Sequence, residues 1–355
     1  MGMNILISTG GSGGHVIPAT ILNDHLSKNN EIIISTDKRG YKYLDIDKYK
    51  KVEIIDTPRI QYSFLFPFNL LKILYLVIKS YFLLKNKNID KIISTGGYMS
   101  LPLILAARLK KLKIYLFEPN LTLGRSNRFF LNSCEKIFCY SNEIKNFPKK
   151  LKHKIQIIDP LVRKEFYNKV SQDLIKEKFN ILVIGGSQGA AVFDNNLKEI
   201  LANISKDFSI KITQQTSERN ISKLEKFYLD YKIENIIFNY DKNFADKILD
   251  SHLCITRSGS STLAELSITN TPFIAVPLAT SKDDHQLENA NFYKGKGCCW
   301  LLEQSVFEEK IEQVLRDILN NKMDYLEKKQ NLKKLNYQNT WNNVNQKILN
   351  IINEN

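Results

Sequence analysis

The chain has 355 residues, about two or three domains' worth, and its 43% hydrophobic and 25% charged side chains exclude wholesale disorder. Its net charge of +14 is lopsided: residues 1–160 carry 25 basic and 12 acidic side chains, whereas residues 161–355 carry 26 and 25. The first half therefore seeks an anionic partner, whether nucleic acid, anionic lipid or a phosphorylated substrate.

In chain order, the first predicted element is a strand, Asn4–Ser8. No basic stretch followed by an apolar one precedes it, so the N-terminus reads as core and not as a secretion signal. The glycine turn Gly10-Gly11-Ser12-Gly13-Gly14-His15 follows, then helical periodicity from about Pro18 to Lys28. A strand, a glycine turn and a helix start make an anion site, because small residues let backbone N–H groups approach phosphate and the helix N-terminus adds positive partial charge. As a dinucleotide fingerprint the turn fails, since Val16 holds the third glycine position of G-x-G-x-x-G. His15, at the mouth of the turn, is placed to take a proton from a hydroxyl. Further strands are expected at Glu31–Ser35, Lys91–Ser94, Lys113–Phe117 and Lys136–Cys139, with a second glycine turn, Gly96-Gly97-Tyr98, after one of them.

Residues 64–84 read FLFPFNLLKILYLVIKSYFLL, long enough to span a bilayer. Pro67 interrupts them, and Lys72 and Lys79 would each cost about 2.5–3.5 kcal/mol inside. The expectation is an in-plane amphipathic helix. Phe64, Phe66, Phe68, Leu71, Leu74 and Val77 form its membrane patch, and Arg108, Lys110 and Lys111 supply nearby positive charge. The competing reading is a buried helix with two snorkelling lysines.

The first pattern ends at 158–163 (IDPLVR), and the same grammar restarts near Asn180: strand Ile181–Ile184, turn Gly185–Gly189 and helical periodicity over Ala190–Leu201. Strands at Ser209–Thr213, Asn235–Phe238, His252–Thr256 and Pro272–Val276 continue it. Continuous apolar strands alternating with helices predict an α/β chain of two Rossmann-like domains, with parallel sheets facing a central cleft. The expected domains are residues 1–160 and 161–335, with a helical tail, 336–355, packing back on the first.

The stretch Arg257–Glu265 (RSGSSTLAE) offers helix N–H groups and hydroxyls to a pyrophosphate, and Glu265 to a ribose diol. Alternatively, Ser260 and Thr262 cap a helix with Glu265 as capping-box partner. Downstream, Asp283 and Asp284 read as helix N-terminal residues. Gln286 and Asn289, three apart on one helix face, suit sugar hydroxyls. Five cysteines (Cys134, Cys139, Cys254, Cys298, Cys299) form no C-x-x-C pair and read as buried reduced thiols.

Six motifs, GGSGGH (10–15), GGYMSLP (96–102), FEPNLTLGRSNRFF (117–130), GGSQGA (185–190), RSGSSTLAEL (257–266) and DDHQLENA (283–290), appear in this order across nearly the whole chain. In combination they resemble the MurG family, bacterial N-acetylglucosaminyltransferases of peptidoglycan synthesis. The resemblance implies a GT-B fold and inverting transfer of N-acetylglucosamine from UDP-N-acetylglucosamine to the C4 hydroxyl of the muramoyl sugar of lipid I, giving lipid II. It places the protein peripherally on the cytoplasmic face of the inner membrane, with no metal and no cofactor, the nucleotide sugar being a substrate. His15 matches the proposed general base. The donor would meet Ser12, Gly13, Gly14, Asn120, Arg163 and Ser187, the backbone of Tyr240 at the uracil, Ser260, Ser261, Thr262, Leu263 and Ala264 along the uracil and diphosphate end, Glu265 at the ribose, and Gln286 and Asn289 at the sugar. Gly10, Gly11, Gly96, Gly97 and Tyr98 would face the acceptor diphosphate. Implied partners are UDP-N-acetylglucosamine, lipid I, an anionic membrane surface and other cell-wall enzymes. No nucleic-acid recognition motif is present. Two segments depart from the family pattern: G-N-P-V-R becomes Ile158–Arg163 and H-E-Q-N becomes Phe117–Asn120. Alternative functions are another GT-B transferase with a lipid acceptor such as diacylglycerol, and a non-catalytic nucleotide-sugar binding protein.

Overall fold

The computed structural model describes residues 2–58, 66–167, 169–171, 178–241 and 243–354. The chain divides into two compact units, Met1–Val162 with Trp341–Asn355, and Arg163–Thr340. The divisions fall at 162 and 340 instead of the expected 160 and 335. Leu161 is part of the first unit's core, and past 335 the Asn336 side chain still donates to the Ser267 carbonyl of the second unit at 3.0 Å.

In the first unit β1 (Asn4–Ser8), β2 (Glu31–Thr36), β3 (Val52–Ile54), β4 (Lys91–Ser94), β5 (Lys113–Glu118), β6 (Lys136–Cys139) and β7 (Ile155–Ile157) form one parallel sheet in the order β3-β2-β1-β4-β5-β6-β7. Its helices are α1 (Gly13–Leu26), α2 (Lys38–Tyr41), α3 (Phe66–Asn86), α4 (Leu101–Leu109) and α5 (Arg125–Phe130). Ile7 sits between Ile34 and Ile93 in register, and Ile5, Leu6 and Ile7 are all fully buried. A strand apolar on both faces needs a helical layer on each side, which parallel crossovers supply.

The second unit repeats the scheme. Its strands β8 (Phe179–Ile184), β9 (Ile210–Gln215), β10 (Glu234–Phe238), β11 (Leu253–Thr256), β12 (Phe273–Ala275) and β13 (Cys299–Leu301) run parallel in the order β10-β9-β8-β11-β12-β13. Its helices are α6 (Gly186–Ile204), α7 (Ile221–Asp230), α8 (Phe244–Leu249), α9 (Ser260–Ile268), α10 (His285–Gly295), α11 (Phe307–Asn320) and α12 (Lys322–Leu335). Ile181, Val183, Phe193, Leu197, Ile255 and Phe307 centre its core.

Helix α13 (Trp341–Asn353) belongs to the first unit. Val344, Ile348 and Ile352 enter that unit's core, Lys347 pairs with Asp159 at 2.6 Å, and the Trp341 ring stacks on His25 of α1 with centroids 3.7 Å apart.

Two helix starts differ from expectation. α1 begins at Gly13 instead of Pro18, and α6 at Gly186 instead of Ala190. In both, the second half of the glycine turn is already the first helical turn. Pro18 therefore lies inside α1, without opening it.

Helix α3 has two apolar faces. Ile73, Leu76, Val77, Ser80 and Leu84 are buried, and α3 packs on α4. Phe68, Leu70, Leu71, Leu74, Tyr75, Ile78 and Phe82 are exposed. Val77, expected in the membrane patch, is thus a domain-facing residue, because it falls at the i+4 position of the Ile73 stripe. Phe64 lies outside the described residues, and Phe66 opens the helix. Arg108, in the last turn of α4, and Lys111, just past it, are exposed, and Lys110 stands 5.5 Å from the Tyr81 ring of α3.

Candidate active site

In each sheet the strand order reverses once, between β1 and β4 and between β8 and β11. In open α/β sheets ligands collect beyond the strand ends at that switch point. The turn Gly10–His15 follows β1 and Gly96–Tyr98 follows β4; Gly185–Gly189 follows β8 and Ser258–Glu265 follows β11.

In the first unit His15 lies in the opening turn of α1. Its Nδ1 is 2.8 Å from the Thr95 carbonyl oxygen, which can only accept. Nδ1 therefore carries a proton, and Nε2 is the nitrogen left to accept one. Thr95 Oγ1 closes the arrangement by donating to the His15 carbonyl at 3.0 Å. Gly96, at φ +96°, comes close to the ring, and a Cβ there would lie 3.2 Å from His15 Cε1. Gly97 is at φ +87°, and its carbonyl accepts from Ser126 Oγ and Ser100 Oγ. The residue before α1, Ser12, makes no side-chain capping bond, and the helix has no acidic residue in its first turn, so the N–H groups of Gly13 and Gly14 face an uncompensated positive end. Gly10 and Gly11 differ from expectation in role. The Gly11 N–H is spent on Asp37 Oδ1 at 2.8 Å, and a Cβ on Gly10 would meet the same oxygen at 2.6 Å. They shape the turn against Asp37.

Asn120, at the end of β5, is held by Glu118, whose Oε1 accepts from both its backbone N–H (3.2 Å) and its side-chain amide (3.1 Å).

In the second unit Glu265 is nearly fully buried in α9, and its Oε1 accepts from Arg163 Nε at 3.1 Å. Burial pushes its carboxyl up, against the pull of Arg163. Arg163 is held in turn by Glu165 at 3.2 Å and lies over the Phe166 ring. The capping reading does not hold: α9 starts after Gly259 with no side-chain cap, so Ser260 and Thr262 keep their hydroxyls half-exposed. Ser261 is half-exposed as well, whereas Leu263 and Ala264 turn their side chains into the core, and the Leu263 N–H is bonded to the Gly259 carbonyl at 3.0 Å. The Gln286 carbonyl ties two loops by accepting from Ser258 N–H (3.2 Å) and Leu278 N–H (3.0 Å). Asn289 departs from its expected sugar-reading role. It is 1% exposed and donates to the Ser258 carbonyl at 3.1 Å, bracing the loop from below. Tyr240 follows β10 with its ring in solvent, and Ser187 lies in the first turn of α6.

Comparison with known proteins gives this geometry a family. Residues 5–139 match the glycosyltransferase family 28 N-terminal domain, and residues 180–343 match the glycosyltransferase family 28 C-terminal domain. A Pelagibacter ubique protein named UDP-N-acetylglucosamine--N-acetylmuramyl-(pentapeptide) pyrophosphoryl-undecaprenol N-acetylglucosamine transferase is 48% identical over 356 residues, covering all of both chains. A Rickettsia felis protein of the same name is 31% identical, over 93% of this chain and 94% of its own. The chain belongs to the MurG family. The crystal structure of Acinetobacter baumannii MurG superposes with a TM-score of 0.76 over 99% of this chain and 100% of its own, at 21% identity, which establishes the GT-B fold.

Two residues inside the MurG-like motifs were passed over in the sequence reading. Glu118 is fully buried and accepts, besides the Asn120 bonds, from Gly124 N–H at 2.7 Å and Asn127 Nδ2 at 3.0 Å. Burial raises its pKa, opposed by these donors. The signal was a carboxylate closing an otherwise apolar strand, KIYLFE. Arg257 is 6% exposed, donates from Nη1 to the carbonyls of Val276 and Pro277, and lies 5.0 Å from the Phe193 ring. Its Nε and Nη2 have no partner among the described residues. A buried cation without a carboxylate is costly unless an anion completes it.

Proposed function

We propose that this chain transfers N-acetylglucosamine from UDP-N-acetylglucosamine to the C4 hydroxyl of the muramoyl sugar of lipid I, inverting the anomeric centre and releasing UDP and lipid II. The observation that carries the reading is the 48% identity over the full length of a protein named for this transfer. A mechanism goes with this reading. His15 Nε2 accepts the C4 hydroxyl proton as the oxygen attacks the anomeric carbon from the face opposite UDP; the glycosidic C–O bond to UDP breaks, and its electron pair leaves on the diphosphate. That growing charge is met by the open N–H groups at the start of α9 and by Arg163, while Glu265 holds the ribose diol. No metal or cofactor enters the proposal. Membrane docking belongs to it: the exposed apolar face of α3, with Arg108, Lys110 and Lys111 nearby, lies on the anionic cytoplasmic surface of the inner membrane, where the lipid acceptor is presented.

A UDP-release assay tests this directly, run in chelator with a lipid I analogue, with diacylglycerol and with neither. Release only with the lipid I analogue is expected. His15→Ala should lower kcat about 10²–10⁴-fold with donor KM retained. Glu265→Ala should raise donor KM by about tenfold or more. Equal turnover on diacylglycerol would refute the assignment, and an unimpaired His15→Ala enzyme would remove His15 from its role.

A further inference from the structure

At one edge of the second sheet, the segment around Tyr240 is fixed from both sides by bonds that neither the motifs nor the mechanism uses. β10 is an edge strand, so β9 alone pairs with it, and the last pair of that ladder is Phe238 opposite Gln215. Two bonds from the end of β9 hold the chain beyond it. Thr216 N–H donates to the Phe238 carbonyl at 2.8 Å, and Gln215 Nε2 donates to the Asn239 carbonyl at 3.2 Å. On the other side of Tyr240, the Asp241 carboxylate accepts from Asn243 N–H at 2.7 Å and from Lys247 Nζ at 2.8 Å. Lys247 also lies 4.8 Å from the Phe238 ring. Tyr240 itself is different: its N–H and carbonyl have no partner among the described residues, and its ring is 81% exposed. Behind Thr216 stands a buried brace. Asp194 of α6, 6% exposed, accepts from Thr216 Oγ1 (2.6 Å), Gln214 Nε2 (2.9 Å) and Asn220 Nδ2 (2.9 Å), and Gln214 Oε1 accepts from the Tyr228 hydroxyl (2.8 Å). A buried polar network whose acceptors are all occupied rigidifies the elements it joins.

We infer that Gln215 and Asp241 are positioning residues that hold the Tyr240 peptide groups ready to read a uracil, with Asp194 as the anchor on the β9 side. One residue's N–H and C=O offer one donor and one acceptor. Uracil presents the complement, an O4 acceptor beside an N3–H donor. Cytosine presents the reverse, an N4 amino donor beside an N3 acceptor, so each backbone group would face its own kind. Backbone groups can reject the wrong base only where the backbone is held still, because a loose segment turns to suit either. The two pins take up the Asn239 carbonyl and the Asp241 carboxylate and leave the Tyr240 N–H and carbonyl open. A segment ordered in advance loses little further freedom when the base arrives, so more of the binding energy is kept. Discrimination between pyrimidines is thus set by side chains that never touch the base.

The inference rests on the UDP-N-acetylglucosamine reading, and the test separates the two. Donor KM, acceptor KM and kcat are measured on the full chain with a soluble lipid I analogue, together with inhibition by UDP and by CDP. The proteins compared are the wild type, Gln215→Ala, Gln215→Glu, Asp241→Ala and the double variant of Gln215→Ala with Asp241→Ala. The wild type should be inhibited far more strongly by UDP than by CDP. Gln215→Ala and Asp241→Ala should each raise donor KM and the UDP inhibition constant about 3- to 10-fold, as expected for a lost hydrogen bond. Acceptor KM, kcat and the CDP constant should stay within twofold, so the preference for UDP falls with each pin. The double variant should lose less than the product of the two single losses, because both pins hold one segment. Gln215→Glu keeps the size but cannot donate, and should match Gln215→Ala; it keeps the test decisive should the truncated variant not fold. Equal rises in the UDP and CDP constants would reduce the pins to general support and overturn the base-reading role. An unchanged donor KM in Gln215→Ala and Gln215→Glu would overturn it too, and neither result touches the transferase assignment. A wild type that CDP inhibits as well as UDP does, or one that releases no UDP with the lipid I analogue, overturns the donor reading and the inference together.

Discussion

The His15 ring is aligned by the backbone, through the Thr95 carbonyl at Nδ1 and the close approach of Gly96. A methyl group at position 96 would strain a backbone at φ +96° and push the imidazole off its carbonyl. Gly96→Ala should therefore cut kcat by about 10- to 100-fold, because a shift of about 1 Å in a reacting group costs that much, with donor KM within twofold of wild type. Wild-type kcat in a well-folded Gly96→Ala protein would show that the ring does not need this alignment. The imidazole itself was legible in the sequence, since a histidine at a strand-to-helix glycine turn is conspicuous. Its tautomer was not, because the deciding partner is a main-chain oxygen 80 positions away. Asp37 escaped for the same reason: its partners are backbone N–H groups of Gly11 and Gly40, which no side-chain pattern records. Asn289 sat on the expected helix face, yet amphipathic spacing cannot tell a side chain lining a site from one bracing the loop beneath it.

At the scale of elements, the contact between α1 and α13 makes stability depend on acidity. His25 is 1% exposed, its two ring nitrogens have no hydrogen-bond partner among the described residues, and burial lowers its pKa from 6.5 to about 4. The folded protein holds this ring neutral, whereas the unfolded chain protonates it below about pH 6.5. Stability is thus intact above that value and falls as pH drops toward 4, by on the order of 3 kcal/mol for this group alone. His25→Phe keeps the stack on Trp341 and removes the titration. Thermal melts should then show the wild type losing Tm relative to His25→Phe between pH 6.5 and 4. Parallel curves would mean that the ring is protonated without cost. Most strands were readable because they are continuous apolar runs. Those that were missed, β3, β7 and β13, are three-residue strands at sheet edges, where one flank is unpaired and no long apolar run is required. The start of α1 was misplaced because glycines score poorly in helix interiors, whereas at the first turn they let backbone N–H groups face a ligand.

Over the whole molecule the charge asymmetry follows the structural division: the unit containing α3 has 26 basic and 13 acidic residues, and the other has 25 and 24. Surface attachment through α3 should combine apolar burial with attraction to anionic headgroups of about 1 kcal/mol per nearby basic residue. The protein should co-sediment with phosphatidylglycerol vesicles more than with phosphatidylcholine vesicles, weakly in 0.5 M salt by ordinary screening. Leu71→Glu with Leu74→Glu should abolish binding while leaving transfer to a detergent-soluble acceptor intact. Indifference to lipid charge and to these substitutions would remove α3 from that role. The duplicated strand–turn–helix grammar was visible in the sequence at this scale; the terminal placement of α13 was harder to read, since an Asn-rich amphipathic tail does not name the surface it covers. Its position has a consequence for biosynthesis. Helix α13 is a wall of the first unit yet is separated from the rest of it by 178 intervening residues, so that unit must wait with an open groove while they are translated, roughly 10–35 s at 5–20 residues per second. Maturation runs against the order of translation: the half encoded second can close before the half encoded first is complete.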